Sequence, residues 1–364
     1  MTADQGGRRH RVVRLSMDLS RKGPRATSVA NGGPVQIALA LLAAVAALSA
    51  CDDSKSQPAA PPAASVLTSA AAPEPSAQED LHGATPPALT GPASDIPPGA
   101  TACGALRCVE FKSAQAAFEH LLSKEPRVLA VGEAHAQKGS EGVESGAARF
   151  KQQLLPALKG KASDLLLELW FPDPKCRKET VAQVKKQQEV VTKKQASTNK
   201  NEYVELGNAA KELGITPRSL HPSCDELEAI TKAGAGDIGL MLETVAKNTQ
   251  HDIEVLLKRQ AEAKQEKLIL AYGGALHNDP YPKLGTETWS FGVNLKPKTR
   301  YLALDVIVPE YIKETPAWQG MPWYESYKVL SGKLADHGAL LFEPRPDEFV
   351  LIFPRTPSRA PDAK

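Results

Sequence analysis

Histidine and glutamate recur in this chain where short apolar runs end. Val128–Val131 (VLAV) leads into Gly132-Glu133-Ala134-His135, and Leu268–Tyr272 (LILAY) leads into Gly273-Gly274-Ala275-Leu276-His277. In extended chain, residues two apart point the same way, so Glu133 and His135 project to one side. A third run, Leu165–Leu169 (LLLEL), carries Glu168 where the pattern otherwise demands apolar side chains. A buried carboxylate is costly unless it is paired or coordinated. Imidazoles and carboxylates in one place can bind a divalent metal, hold an activated water, or act as a metal-free acid/base set.

These residues can meet only if the fold brings three run ends together. Apolar runs at Val128–Val131, Leu165–Leu169, Thr216–Leu220 and Leu268–Tyr272 read as strands, with further strands at Tyr301–Val308, Ala339–Phe342 and Phe349–Phe353. The last two are separated by EPRPDE and read as a hairpin. Helical spacing covers 113–124, 143–158, 178–195, 201–213, 223–232 and 237–265. Strand–helix alternation predicts an α/β fold with a mostly parallel, partly mixed sheet flanked by helices. Ligand sites in such sheets form at the carboxyl ends of the strands, where Glu133, His135, Glu168 and His277 all fall.

Secondary candidates are weaker. His221 and Asp225 follow the third strand, although Ser223 and Asp225 also suit a helix cap. Asp305 interrupts an apolar strand as Glu168 does. Tyr272 either faces the site or packs. Trp289, Trp318 and Trp323 lie in loop-like segments that either cover a cleft or pack locally. The lysines 178, 185, 186, 193 and 194 read as a solvated helix face, with a membrane or acidic-ligand surface as the alternative.

The strand-end segments VLAVGEAHA, LLLELWF and LILAYGGALHND together resemble the superfamily joining Tiki and TraB proteins, ChaN-type haem-binding lipoproteins and erythromycin-esterase-like proteins. Its hallmark is a pair of Gly-x-x-His motifs, matched here by Gly132–His135 and Gly274–His277, with a glutamate in the next strand, matched by Glu168. The resemblance implies a metal-dependent hydrolase of peptidase or esterase type. Glu133, His135, Glu168 and His277 would be the catalytic and metal-holding groups. The alternative it implies is a non-catalytic haem-binding lipoprotein using His135, His277 or Tyr272. ChaN-like sequences have another histidine soon after the first motif, where this chain reads AQKGSEGVESG.

The N-terminus sets the compartment. A basic stretch with Arg8, Arg9, Arg11, Arg14, Arg21, Lys22 and Arg25 precedes the apolar run Val35–Ala50, which is short for a membrane span. Leu48-Ser49-Ala50-Cys51 resembles a bacterial lipobox, which implies cleavage before Cys51 and lipidation of its sulfur. Residues 1–50 are then a leader with no part in the fold, and 51–100 an Ala/Pro-rich, lipid-anchored tether. Residues 101–356 form the domain and 357–364 a tail. The membrane is a partner through the lipid on Cys51, and the domain faces the periplasm or exterior. A small molecule or peptide is the expected ligand.

A near balance of 44 basic and 42 acidic residues carries no nucleic-acid footprint. With Cys51 set aside, Cys103, Cys108, Cys176 and Cys224 remain, an even number in an oxidising compartment. Cys103 with Cys108 would close a short loop and Cys176 with Cys224 would join two connecting segments. Free buried thiols are the alternative, and spacing does not fix the pairing.

Overall fold

The structure, a computed structural model, describes residues 39–40, 86–140, 142–234, 237–332 and 338–356. Strands are β1 (Leu39–Ala40), β2 (Thr101–Ala102), β3 (Val109–Phe111), β4 (Val128–Glu133), β5 (Ala162–Trp170), β6 (Thr216–Leu220), β7 (Leu268–Gly274), β8 (Tyr301–Ile307), β9 (Ala339–Arg345) and β10 (Glu348–Ile352). The principal helices are α1 (Ala114–Leu122), α2 (Gly146–Arg149), α3 (Lys178–Val191), α4 (Asn199–Glu212), α5 (Cys224–Ala233) and α6 (Ile238–Glu262). Stretch 143–158 departs from the single helix expected. After α2 it becomes a π turn, Phe150–Leu154, then a 3-10 turn, Leu155–Leu158, where Pro156 has no amide to donate.

All the main strands read from the sequence are present. They lie in one sheet whose parallel part runs β6-β5-β7-β4-β8-β10, with β9, β3 and β2 added antiparallel at one side. The α/β, mostly parallel and partly mixed architecture is therefore as expected. Its strands are apolar on both sides because helices cover both faces. One face buries Leu129, Val131, Leu165, Leu167, Leu270, Tyr272 and Leu304 against α1, α4 and the 150–158 turns. The other buries Val128, Ala130, Leu166, Ile269, Ala271 and Ala303 against α6.

Two boundaries differ from expectation. The tether was expected to reach residue 100, but the chain already lies on the domain from residue 86 onward. Leu89 donates its amide to the Pro344 carbonyl, the Gly91 carbonyl accepts from Arg107, and Ala93 packs on the core. The leader was expected to take no part in the fold, yet Leu39–Ala40 pair antiparallel with Leu169–Trp170. Cleavage before Cys51 would remove that pairing and leave the other nine strands in place. Cys51 and residues 357–364 lie outside the described residues.

Both disulfides form, Cys103–Cys108 and Cys176–Cys224. The second joins the segment after β5 to the first turn of α5, closing a separation of 48 residues. Chain entropy for a loop of that size gives about 4 kcal/mol. Replacing both Cys176 and Cys224 with Ser should lower unfolding free energy by up to about that amount, read from the urea midpoint under non-reducing conditions. A midpoint unchanged from wild type would show that the bridge does not constrain the unfolded chain.

Candidate functional site

The alternation of side chains along the strands distributes the four residues over the two faces of one sheet end. Glu133 continues the Leu129–Val131 side of β4, and Glu168 continues the Leu166 side of β5. Each carboxylate meets one histidine. His135 Nδ1 lies 3.1 Å from Glu133 Oε1, as their two-residue spacing predicts. His277 Nε2 lies 3.6 Å from Glu168 Oε1. All four side chains are buried.

Glu133 is held by more than its histidine. Tyr203 OH donates to Oε1 (3.1 Å) and Tyr272 OH donates to Oε2 (2.8 Å). Asn199, Tyr203, Leu206, Gly207 and Ala210 form the inner stripe of α4, and this turns Tyr203 onto the end of β4. Both phenols are pushed well above their ordinary value, by burial first and by the Glu133 charge next. They remain donors, and both Glu133 oxygens are engaged. Glu133 is thus tied to His135, Tyr203 and Tyr272, and the Tyr272 hydroxyl is engaged on Glu133.

Burial alone would push the His135 imidazole down. The hydrogen bond and charge of Glu133, with the charge of Glu168, more than offset this and hold it above the usual histidine value. Burial would likewise raise the Glu168 carboxyl, but His277, His135 and the Gly274 amide hold it below its usual value. The mutual influence of His135 and Glu168 links the two pairs across the sheet end. Asn199 Nδ2 and the Ala196 amide both donate to the Ala136 carbonyl, and Gln137 Nε2 donates to that of His135, so the loop carrying His135 is fixed on both sides.

His277 is aimed by backbone. Its Nδ1 donates to the Trp289 carbonyl at 2.8 Å, and its own carbonyl accepts from the Phe291 amide and Ser290 Oγ. Glu168 Oε2 accepts from the Gly274 amide at 2.7 Å. Nε2 of both histidines is buried and has no hydrogen-bond partner. Among the described residues, no set of three or more His, Cys, Asp or Glu side chains is gathered as a metal site. Glu168, His277, Gly273, Gly274, Asn278, Thr249, Val245 and Phe291 help line a void of about 10 Å³, room for one water-sized occupant.

Two glycines make this packing feasible. A Cβ on Gly273 would stand 2.6 Å from Glu168 Oε2, and one on Gly132 would stand 2.6 Å from Ala275 Cα. Neither position has room for a methyl. The first motif's glycine is thus a space requirement for the turn that carries the second motif's histidine.

No family model, curated protein or solved structure matches the chain. The site therefore has to be read from its own chemistry.

The weaker candidates mostly lie elsewhere. Exposed His221 points its Nδ1 at the Phe171 carbonyl. Ser223 caps α5 in a capping box with Glu226, and Asp225 is exposed in the first turn. Trp318 and Trp323 stack edge to face in a cluster on β9 and β10. Trp289 contributes through its carbonyl. Tyr203 and Asn278 belong to the site and escaped the sequence reading: Tyr203 looked like ordinary helix core. Asn278, the polar neighbour of His277 in LHND, was the available signal.

Asp305 is half-buried and accepts from Asn278 Nδ2 at 3.0 Å. Its carboxyl is pushed well above the carboxylate range by burial, an effect that the Asn278 hydrogen bond only partly opposes. A carboxyl raised on folding contributes fully below its unfolded value of about 4, and that contribution is lost as pH rises through the folded value. Asp305→Asn keeps the acceptor and removes the titration. The variant should gain stability relative to wild type between pH 4 and pH 8, measured by urea unfolding. A constant difference across that range would show the carboxyl to be unperturbed. Gly132→Ala should cost about 1–3 kcal/mol in the same assay, because the neighbour it meets is backbone.

Proposed function

We propose that the chain is a lipid-anchored, extracytoplasmic, metal-dependent hydrolase, with His277, Glu168 and His135 as the groups that hold a divalent ion. The observation that carries this reading is the tautomer imposed on His277. A carbonyl only accepts, so Trp289 places the imidazole hydrogen on Nδ1. In the neutral ring, the Nε2 lone pair then faces the Glu168 carboxylate at 3.6 Å. Lone pair against carboxylate is repulsive unless positive charge lies there, as a proton or a cation. Two donors each about 2.1 Å from one tetrahedral ion stand about 3.4 Å apart, close to this spacing.

His135 has the matching arrangement. Its Nδ1 is held by Glu133, which leaves Nε2 as the donor, in the carboxylate–histidine pattern that orients metal-bound imidazoles. Two imidazoles and one carboxylate are also the donor set of a common class of hydrolytic zinc sites. A bound ion would supply a water ionised near neutral pH. Glu133 with its two tyrosines keeps His135 in register. The resemblance of the strand-end motifs to those of the Tiki, TraB and ChaN-like superfamily supports the same reading, and the resemblance of Leu48–Cys51 to a lipobox supports substrates, peptides or small esters, outside the cytoplasm.

Haem binding finds less support. Tyr272 is spent on Glu133 and raised in pKa, the opposite of what a phenolate ligand needs. The protein purified from membranes should carry about one equivalent of a divalent metal by elemental analysis. His277→Ala and His135→Ala should lose it while keeping the wild-type far-ultraviolet circular dichroism. Full metal occupancy in both variants would sink the proposal, and a Soret band in place of metal would return haem to first rank.

A further inference from the structure

The metal reading leaves a second polar pair unexplained at the same sheet end. Asn278 is 2 % exposed, and its side chain reaches two strands at once. Nδ2 donates to the Ala130 carbonyl on β4 (3.3 Å) and to Asp305 Oδ1 on β8 (3.0 Å). Both partners crowd the bare face of Gly132, whose Cβ would stand 2.7 Å from Asp305 Oδ1 and 2.8 Å from Asn278 Nδ2. The pair occupies the space that glycine leaves open.

Asp305 Oδ1 is taken up by Asn278 Nδ2 at 3.0 Å. In the order β5-β7-β4-β8 two strands lie between Glu168 and Asp305. The contact through which Asp305 reaches His277 is the turn that Asn278 belongs to.

We propose that Asn278 and Asp305 are a positioning pair that sets where His277 Nε2 points. His277 lies in the turn closed by its amide on the Gly274 carbonyl. On the outer side the turn is held by residues 289–291, themselves in a connecting segment. On the inner side it is tied to the sheet by the Asn278 side chain and by Tyr301 OH, which donates to the Asn278 carbonyl. Without the Asn278 side-chain tie, the turn would keep only the Tyr301 hydroxyl on the Asn278 carbonyl and the Ala275 amide on the Glu133 carbonyl as hydrogen bonds to the sheet, and Nε2 would be held less closely on Glu168. The inference rests on the metal reading, and its test separates the two.

Asn278→Ala, Asp305→Ala and Asp305→Asn are compared in the full chain by competition titration with zinc, with circular dichroism as the check on folding. The first two should bind zinc about 10–100-fold more weakly, the usual effect of losing an orienting partner. Asp305→Asn should bind as wild type does, because its amide oxygen still accepts from Asn278. Wild-type affinity in Asn278→Ala and Asp305→Ala would overturn the proposal, as would an Asp305→Asn variant as weak as Asp305→Ala. If Asn278→Ala fails to fold, the two Asp305 variants carry the comparison.

If the wild-type chain takes up no zinc, the hydrolase reading falls and positioning is read from the ¹⁵N spectrum of the His277 ring. A single ring state with hydrogen on Nδ1, whatever Nε2 carries, in wild type and Asp305→Asn, with a mixture in Asn278→Ala or Asp305→Ala, supports the pair. The same single species in all four proteins refutes it.

Discussion

The carbonyl of Trp289 fixes the chemistry of the whole sheet end. By accepting from His277 Nδ1 it turns Nε2 toward Glu168, and it does so with backbone, which cannot titrate away or change rotamer. Everything around it serves that orientation. Gly273 gives Glu168 room beside β7, the Gly274 amide holds the far carboxylate oxygen, and Gly132 lets the turn lie against the sheet. Burial would raise the Glu168 carboxyl, and His277, His135 and the Gly274 amide together hold it below its usual value.

The first pair solves the same problem by different means. Glu133 receives three donors, His135, Tyr203 and Tyr272, so its charge is spread over hydrogen bonds instead of a single partner. That makes it a rigid anchor and removes it from the set of open ligands. Glu168 has a backbone amide on one oxygen and an imidazole near the other. The two glutamates thus differ in surroundings because their strands present them on opposite faces: α4 brings a tyrosine over Glu133, and α6 covers the face of Glu168.

How much of this was legible in the chain follows from which forces act locally. The strands were readable because each is a short apolar run with a fixed side-chain period, and Glu133 with His135 was readable from the same period. Glu168 stood out as a charge inside an apolar run. Tyr203 was not readable, since a tyrosine on the inner stripe of a helix looks like core until the helix is seen to cross the end of β4. The Trp289 carbonyl had no side-chain signature at all, because any residue there offers the same oxygen. The early start of the domain, near residue 86, was hidden by an Ala/Pro composition that also suits a strap lying on a fold. Both disulfides are pairings the cysteine positions suggested, and free thiols were the alternative; Cys103–Cys108 closes a local loop, while Cys176–Cys224 depends on the contact of α5 with α3, a tertiary fact.

Asp305 shows the limit of reading charge in a strand. It interrupts YLALDVIV as Glu168 interrupts LLLELW, and the two lie on the same face of the sheet. Sequence alone gives them equal claim to the site. The strand order separates them, because β7 and β4 intervene and each presents a glycine at that level. Those glycines admit the 275–278 turn, which sends His277 to Glu168 and Asn278 to Asp305 from adjacent residues. One carboxyl is thereby placed beside an imidazole and kept ionised, while the other faces an amide and is pushed toward its neutral form. Two similar interruptions of a strand thus become an ionised group at the candidate site and a carboxyl of raised pKa that accepts from the turn.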